Sequence, residues 1–337
     1  MDALPLVSIC IPTFNRSGMV EKAIESALKQ TYTNIEVLVV DNYSTDETDA
    51  VVASFHDKRL RYVKNSRNLG LFGNFNRCIE LSRGEFIHIL HSDDTITHDF
   101  TDTCIRFFIQ HPDVALTFTS LTIIHAKQKR SVSYSDKDTI IPPPEGFQLL
   151  LQERSFIPCP SVMVRKEVYS RVGNYPLEYP YSSDYWMWLQ ISRLYSIAFI
   201  KSVYVNYHQG EHSESHRLLF QSPAGYMDTL RIYIELISEL GEMRSDFSDS
   251  LNIALHRYIW DCIFAGFARS EKMMQFSPMV IGALALDSWA LVYPRTIESW
   301  LRHWMTLPVI LGAWCLMGVP GVRNLIKMCI FRENSFY

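Results

Sequence analysis

The chain has 337 residues, of which 47% are hydrophobic, and a formal net charge of −4. This length can hold one large α/β domain with an appendage, or two domains. The charge balance excludes the basic surface expected of a nucleic-acid-binding protein, so we expect no nucleic-acid partner. The seven cysteines form no C-x-x-C pair and the N-terminus has no signal-peptide layout, which favours a cytoplasmic protein with reduced thiols.

Buried strands and amphipathic helices alternate along the N-terminal part of the chain. Strands are predicted at residues 7–11, 35–40 and 60–63, and a helical pattern follows each of them. Ser44 and Glu47 have the spacing of a capping box, which predicts the start of the second helix. This alternation predicts an α/β fold with a largely parallel sheet and helices on both faces.

Two adjacent carboxylates, Asp93 and Asp94, follow an apolar run at residues 86–90. The run predicts a fourth buried strand. Neighbouring carboxylates repel each other, and a Mg²⁺ or Mn²⁺ ion shared with a phosphate would offset that repulsion. An equally supported alternative is that Asp94 and Thr95 begin a helix whose first turn is acidic.

Polar residues also follow the earlier predicted strands, namely Thr13 and Asn15, Asp41, and Asn68. Ligands of open α/β sheets bind outside the carboxyl ends of the strands. Turns favour Asn and Asp in any case, which is the alternative explanation for each residue taken alone. Their placement after successive strands predicts a nucleotide site at one edge of the sheet.

Further elements are predicted beyond the acidic pair. A helical pattern that begins at Asp184 is rich in aromatic residues. Residues 127–145 are polar and then proline-rich, which predicts a surface loop. Additional strands are expected at residues 114–118, 121–124, 160–164, 197–200 and 203–207.

The character of the chain changes near Phe220, after which the pattern is helical. We therefore predict one domain over residues 1–220 and a C-terminal helical region over residues 221–337. Residues 304–322 carry no charge, although Pro and Gly interrupt them, and basic residues flank the segment. Spanning a bilayer takes about 20 apolar residues. The segment suits peripheral contact with an anionic membrane surface, and a buried helical hairpin or a homo-oligomer contact is an equally supported alternative.

Several motifs in order resemble the family-2 glycosyltransferases of the GT-A fold, which has a Rossmann-like sheet. The resemblance covers residues 5–217 and says nothing about the last third of the chain. It rests on residues 7–16 (VSICIPTFNR), 39–46 (VVDNYSTD), Asn68-Leu69-Gly70 with Asn76, Ser92-Asp93-Asp94, 161–165 (SVMVR) with Gly173, and 183–189 (SDYWMWL).

The resemblance implies transfer of a sugar, with inversion, from a nucleoside-diphosphate sugar, with UDP-sugars favoured. The expected acceptor is a hydroxyl of a glycan or a lipid-linked molecule in cell-surface polysaccharide biosynthesis. A divalent metal, Mg²⁺ or Mn²⁺, held by Asp94 with Asp93 beside it, would stabilise the departing diphosphate. Asp184 matches the family's catalytic base, which takes a proton from the acceptor hydroxyl. The family's usual Glu before that base is Ser183 here.

The resemblance also assigns residues to substrate binding. Asp41 matches the acid that reads the base of the nucleotide. The family often carries Arg-x-His after the sheet, whereas this chain has His208 and Gly210 at those places, so His208 or His212 is expected to face the diphosphate. His88 and His91 are expected to pack or cap. The full set is Pro12, Thr13, Asn15, Arg16, Asp41, Asn68, Asn76, Asp93, Ser161, His208 and His212.

Local turn capping is an equally supported role for Asn68 and Asn76. Two other functions stay open at this point. A sugar-nucleotide nucleotidyltransferase would need a phosphate loop rich in Gly and basic residues after the first strand, and residues 12–15 do not form one. A non-catalytic carbohydrate-binding protein on the same fold is the other. For the enzyme we expect a location in the cytoplasm, at the inner face of the membrane if the acceptor is lipid-linked.

Overall fold

The computed structural model describes residues 4–126, 128–210, 224–240, 246–247, 249–251, 253–254 and 257–258. The chain divides into two compact units, Met1–Leu236 with Asp249–Ala254, and Ile237–Ser248 with Leu255–Tyr337. The sheet and the candidate site belong to the first unit. The boundary at residue 220 stays a prediction, and the apolar segment at 304–322 lies outside the described residues.

Within the described residues, ten strands form one sheet. The strands are β1 Val7–Thr13, β2 Ile35–Asp41, β3 Leu60–Lys64, β4 Phe86–Ile89, β5 Thr95–Ile96, β6 Val114–His125, β7 Gln128–Val132, β8 Thr139–Ile141, β9 Met163–Arg165 and β10 Ser196–Gln209. The helices are α1 Ser17–Leu28, α2 Thr48–Ala53, α3 Leu71–Leu81, α4 Phe100–Gln110, α5 Glu145–Glu153, α6 Lys166–Val172, α7 Ser183–Leu194 and α8 Ala224–Leu240, with a short 3₁₀ turn at Cys159–Ser161.

The N-terminal half of the sheet is parallel and the C-terminal half is mixed. The strand order is β3-β2-β1-β4-β9-β6-β10-β5, with β7 on β6 and β8 on β10. Strands β1 to β4 pair in parallel, and β1 and β2 end in register with Thr13 opposite Asp41. β9 then runs antiparallel between β4 and β6. The carboxyl ends of β1, β2 and β4 therefore share one edge, as predicted.

Every residue of β1 and β2 is buried, because both faces of this part of the sheet are covered. The predicted apolar face of α1 is buried as well, through Val20, Ala23, Ile24 and Ala27. The α/β architecture is thus confirmed. Among the described residues, no helix combines the length and apolar character that a membrane span requires.

Several local predictions are corrected by the structure. The strands expected at 114–118 and 121–124 are one strand, β6, and those at 197–200 and 203–207 are one strand, β10, with irregular register. The loop expected at 127–145 contains β7 and β8. β7 is polar and mostly exposed, so it carries no hydrophobic signal, and β8 is a strand of only three residues; each is formed by pairing with a neighbouring strand. The strand expected at 160–164 begins only at Met163, after the 3₁₀ turn.

The capping box expected at Ser44 is also corrected. The Ser44 hydroxyl accepts a hydrogen bond from Asn15 N instead of capping α2. Asp46 supplies the hydrogen bonds at the start of that helix, because its Oδ1 accepts from the amide and the hydroxyl of Thr48.

Candidate active site

The turns that follow β1 and β2 are joined by hydrogen bonds. Asn15 N donates to Ser44 Oγ at 2.8 Å, and Thr45 N donates to Asn15 Oδ1 at 2.8 Å. Asn15 adopts a positive φ of 51° to make this contact. Thr13, which follows Pro12 at the end of β1, is buried, and its hydroxyl has no hydrogen-bond partner among the described residues. The residues predicted beside the nucleotide therefore lie together at the predicted edge.

Asp41 ends β2 and is fully buried. Its Oδ1 accepts from Ser44 N at 2.7 Å, and its Oδ2 accepts from Tyr62 Oη at 2.6 Å. Burial, together with Asp41, raises the pKa of Tyr62, so the tyrosine stays a hydrogen-bond donor at neutral pH. Asp41 thus organises the turn after β2, and its role in reading the base stays a prediction.

The two asparagines assigned to substrate binding make structural hydrogen bonds. Asn68 Oδ1 accepts from Asn42 Nδ2 and from Gly70 N, both at 2.8 Å, which holds its loop against the end of β2. Asn76 binds the main chain of Tyr175 from both ends of its amide, at 2.8 and 2.9 Å. These contacts support the turn-capping alternative for Asn68 and a tertiary support role for Asn76, while ligand contact by either stays a prediction.

The acidic pair lies just beyond β4 at the same edge. Asp94 is fully buried, and its Oδ1 accepts from the main-chain amide of His208 at 2.8 Å. The Asp93 carboxylate forms an ion pair with Arg16 from the turn after β1. Asp94 does not cap a helix, because β5 follows it and α4 begins only after Asp99. The helix-start alternative is therefore wrong.

His91 completes a cluster with the two carboxylates. Its Nδ1 lies 3.3 Å from Asp94 Oδ2, and one ligand atom from each of His91, Asp93 and Asp94 lies within 4.8 Å of the others. Apart from this approach of His91, the buried Asp94 Oδ2 has no hydrogen-bond partner among the described residues. Oxygen and imidazole ligands of this kind suit a divalent cation such as Mn²⁺. The cluster therefore fits a divalent metal ion.

The groups of this cluster perturb one another's protonation. Burial raises the pKa of Asp94, and the charge of Asp93 adds to the effect, while His91 opposes it. Burial alone would lower the pKa of His91, but Asp94 and Cys159 together raise it well above the ordinary value. His208 Nδ1 lies 3.9 Å from Asp94 Oδ1, so the predicted histidine is placed beside the acid.

Asp184 lies in the first turn of α7, within electrostatic reach of His91. Burial raises its pKa to about 6, while the amide of Tyr185 and the charge of His91 act in the opposite direction. Burial also raises the pKa of Cys159, which lies within electrostatic reach of Asp94, Asp184 and His91. Asp94, the predicted metal ligand, and Asp184, the predicted base, thus both interact electrostatically with His91 and Cys159.

A distant helix holds the start of α7. Asp228 on α8 is buried, and its Oδ2 accepts from Tyr181 N at 2.7 Å and Ser182 N at 3.2 Å. Ser182 is the N-cap residue of α7 and makes no side-chain capping hydrogen bond of its own. Ser183, which stands in place of the usual Glu, donates to Pro176 O at 2.8 Å. Both contacts fix the helix that carries Asp184.

Comparison with known proteins identifies the family to which the chain belongs. The family model "Glycosyl transferase family 2" matches residues 8–173. The chain is 30% identical over 196 residues to an Escherichia coli protein, "UDP-Glc:alpha-D-GlcNAc-diphosphoundecaprenol beta-1,3-glucosyltransferase WfaP". The matched stretch covers 56% of this chain and 70% of the relative. The chain belongs to the family-2 glycosyltransferases.

Other curated proteins are similar to this glycosyltransferase-family chain over shorter stretches. Succinoglycan biosynthesis protein ExoO of Rhizobium meliloti is 38% identical over 115 residues, or 34% of this chain and 32% of that protein. The chain spans about a third of the length of the first curated relatives it matches. The crystal structure of S. aureus TarS 1–349 in complex with UDP superposes with a TM-score of 0.62 at 17% identity, over 83% of each chain, and shows that the GT-A fold is shared.

Two residues of this glycosyltransferase-family chain escaped sequence reasoning. His91 was expected to pack or cap, and it does pack on Phe75 at a ring distance of 5.8 Å, but it also joins the acidic cluster. Its spacing of three residues before Asp94 was the available signal. Asp228 had no local signal, because it acts on residues 46 and 47 positions earlier.

The remaining predicted positions differ in what the structure shows of them. His88 is buried and bonded to Val162 O through Nδ1, as its predicted packing role requires. Ser161 is fully buried, and its hydroxyl donates to Pro158 O at 2.9 Å, so its assignment to substrate binding stays a prediction. His212 lies outside the described residues.

Proposed function

We propose that the chain is an inverting glycosyltransferase that uses a nucleoside-diphosphate sugar, with UDP-sugars as the favoured donors. The acceptor is a hydroxyl group of a glycan or of a lipid-linked molecule in cell-surface polysaccharide biosynthesis. The observation that carries this proposal is that Asp94 and Asp184 both lie within electrostatic reach of His91 and Cys159. Family membership favours this function over a nucleotidyltransferase.

Asp94, Asp93 and His91 are the residues that would hold a divalent metal, Mg²⁺ or Mn²⁺. When bound, such an ion offsets the negative charge that develops on the diphosphate leaving group. Arg16 pairs with Asp93 and keeps that carboxylate turned toward the end of β1. The main-chain amide of His208 donates a hydrogen bond to Asp94, and the His208 imidazole lies beside that carboxylate. We propose that this imidazole faces the diphosphate.

Asp184 acts as the general base. Its raised pKa, about 6, leaves it ionised at neutral pH but a stronger base than an ordinary aspartate. It takes the proton of the acceptor hydroxyl while the oxygen attacks the anomeric carbon from the face opposite the diphosphate. Because the diphosphate leaves as a stabilised anion, no acid is required on its side. With Ser183 in the place of the family's Glu, Asp184 is the one carboxylate left in that motif.

The choice of donor and acceptor is supported by the relatives. The name of WfaP gives UDP-Glc as its donor and a diphosphoundecaprenol-linked sugar as its acceptor. TarS has been crystallised with UDP-GlcNAc. A uridine nucleotide at the β1–β2 edge and a polyprenyl-linked acceptor are therefore the substrates that we propose for this chain. The helical region at 221–337 is then proposed to contact the membrane surface or another copy.

The test measures nucleotide release from UDP-, GDP- and dTDP-sugars with and without Mn²⁺. We expect release from one UDP-sugar that requires the metal and is lost in Asp94→Ala. Asp113→Ala is the matched control, since it removes an exposed carboxylate distant in sequence from the site, and it should retain activity. Release that does not depend on the metal would refute the role proposed for the acidic cluster. Release from no donor in the wild type would refute the enzyme and favour a non-catalytic carbohydrate-binding protein.

A further inference from the structure

Tyr43 has an unusual backbone conformation at the edge of the site. Its φ is 74°, in the left-handed region that residues with a large side chain rarely adopt. Half of the residue's surface, 50%, is exposed to solvent. No hydrogen bond or ring contact of its side chain is found within the part of the chain that the structure describes. Strained residues of this kind cluster at ligand-binding sites.

The turn around Tyr43 does not need the aromatic ring. On one side Asn42 N donates to Thr13 O at 2.8 Å, and on the other Ser44 N donates to Asp41 Oδ1 at 2.7 Å. These two hydrogen bonds of main-chain amides, one to a main-chain carbonyl and one to the Asp41 carboxylate, set the conformation of the residue between them. Glycine adopts a positive φ without strain, so glycine would hold the same turn. The tyrosine therefore contributes something other than folding stability.

The position of the ring suggests what it contributes. Tyr43 lies two residues after Asp41, where β1 and β2 end in register and where the proposed function places the nucleotide. The faces of aromatic side chains stack on the planar faces of nucleobases with little dependence on sequence. The turn bonded to Asn15 carries Tyr43 on the same edge as the predicted nucleotide residues.

We propose that Tyr43 is a stacking platform for the base of the nucleotide donor. This inference rests on the proposed function, because it requires a nucleotide at the β1–β2 edge. Tyr43 is then a substrate-contacting residue that strengthens binding of the nucleoside part and leaves the diphosphate part to the acidic cluster. The backbone strain is tolerated because the ring is needed at this place.

The experiment measures the affinity of the full chain for UDP and for inorganic pyrophosphate, in the presence of Mn²⁺, together with thermal stability. Removing one base–aromatic stack weakens nucleotide binding by roughly 5- to 150-fold. We expect that loss for UDP in Tyr43→Gly and in Tyr43→Asn, while pyrophosphate binding stays unchanged. Tyr43→Phe should bind UDP within about twofold of the wild type, because it keeps the ring. Tyr43→Gly should be at least as stable as the wild type.

Ala126→Gly is the matched control. Ala126 also has a positive φ, 53°, and is exposed in the turn between β6 and β7. The Ala126→Gly variant should also be at least as stable as the wild type, because glycine removes the strain of a positive φ. It should keep the UDP affinity of the wild type. Unchanged UDP affinity in Tyr43→Gly would overturn the inference, and so would a loss of folding in that variant. The wild type could also bind pyrophosphate with Mn²⁺ and bind no nucleoside diphosphate more tightly than pyrophosphate. That result would refute the proposed function together with the inference about Tyr43.

Discussion

Asp184→Asn is expected to make the protein more stable and catalytically inactive at the same time. Burial raises the pKa of Asp184 from 3.8 to about 6. One pKa unit corresponds to about 1.36 kcal/mol, so the ionised carboxylate destabilises the folded state by about 3 kcal/mol at neutral pH. Asparagine removes that charge and keeps the oxygen that accepts from Tyr185 N at 2.8 Å.

The sign of the pH dependence follows from the two pKa values. Below pH 3.8 the aspartate is protonated in both the folded and the unfolded states, and the variant has no advantage. Between pH 3.8 and about 6 the unfolded state loses its proton first, so the stability of the wild type falls relative to the variant. Above pH 6 the difference in free energy of unfolding reaches its full value of about 3 kcal/mol.

The assay is urea denaturation of both proteins from pH 4 to pH 8, with nucleotide binding and sugar transfer measured at pH 7.5. Transfer should fall by roughly 10²- to 10⁴-fold, the range of a lost general base, while the affinity for the donor nucleotide stays unchanged. Asp57→Asn is the control for sign, because hydrogen bonds from Arg59 lower the pKa of Asp57 to about 2 and its removal destabilises the protein at neutral pH. Equal stabilities of wild type and Asp184→Asn at every pH would refute the burial argument, and full transfer would remove Asp184 from the base role.

Other outcomes follow from the same structure. Asp228→Ala frees the amides of Tyr181 and Ser182, so transfer should fall by roughly 10- to 100-fold with the donor affinity unchanged. Asp228→Asn, which keeps an acceptor oxygen, should restore most of that activity, and an equal loss in both variants would contradict a positioning role. Removal of the residues after Trp300 should shift the protein from the membrane fraction to the soluble fraction, as fractionation and immunoblotting would show. An unchanged distribution after that truncation would favour internal packing or an oligomer contact.

In the N-terminal half of the chain, the local sequence pattern was enough to predict the strands and the polar edge of the sheet. The strands ending at Thr13 and Asp41 are continuous apolar runs, and the residues after them are polar, so both the sheet edge and its chemistry are visible in the chain. Asp94 could be placed at the same edge for that reason. Its alternative role as a helix cap could not be excluded, because an aspartate before a threonine has the same local appearance in both settings.

The order of the residues by itself determined the alternation of strands and helices, the polar edge and the acidic pair, because these depend on periodicities of a few residues. Only the tertiary structure decided that β9 enters antiparallel beside β4, that the amide of His208 supports Asp94, and that Asp228 caps α7. Those contacts join residues that are far apart in the chain, and no local preference encodes which distant partner a main-chain amide will find. The convergence of Asp94 and Asp184 near His91 belongs to this second class, because it arises only when the sheet and α7 pack together.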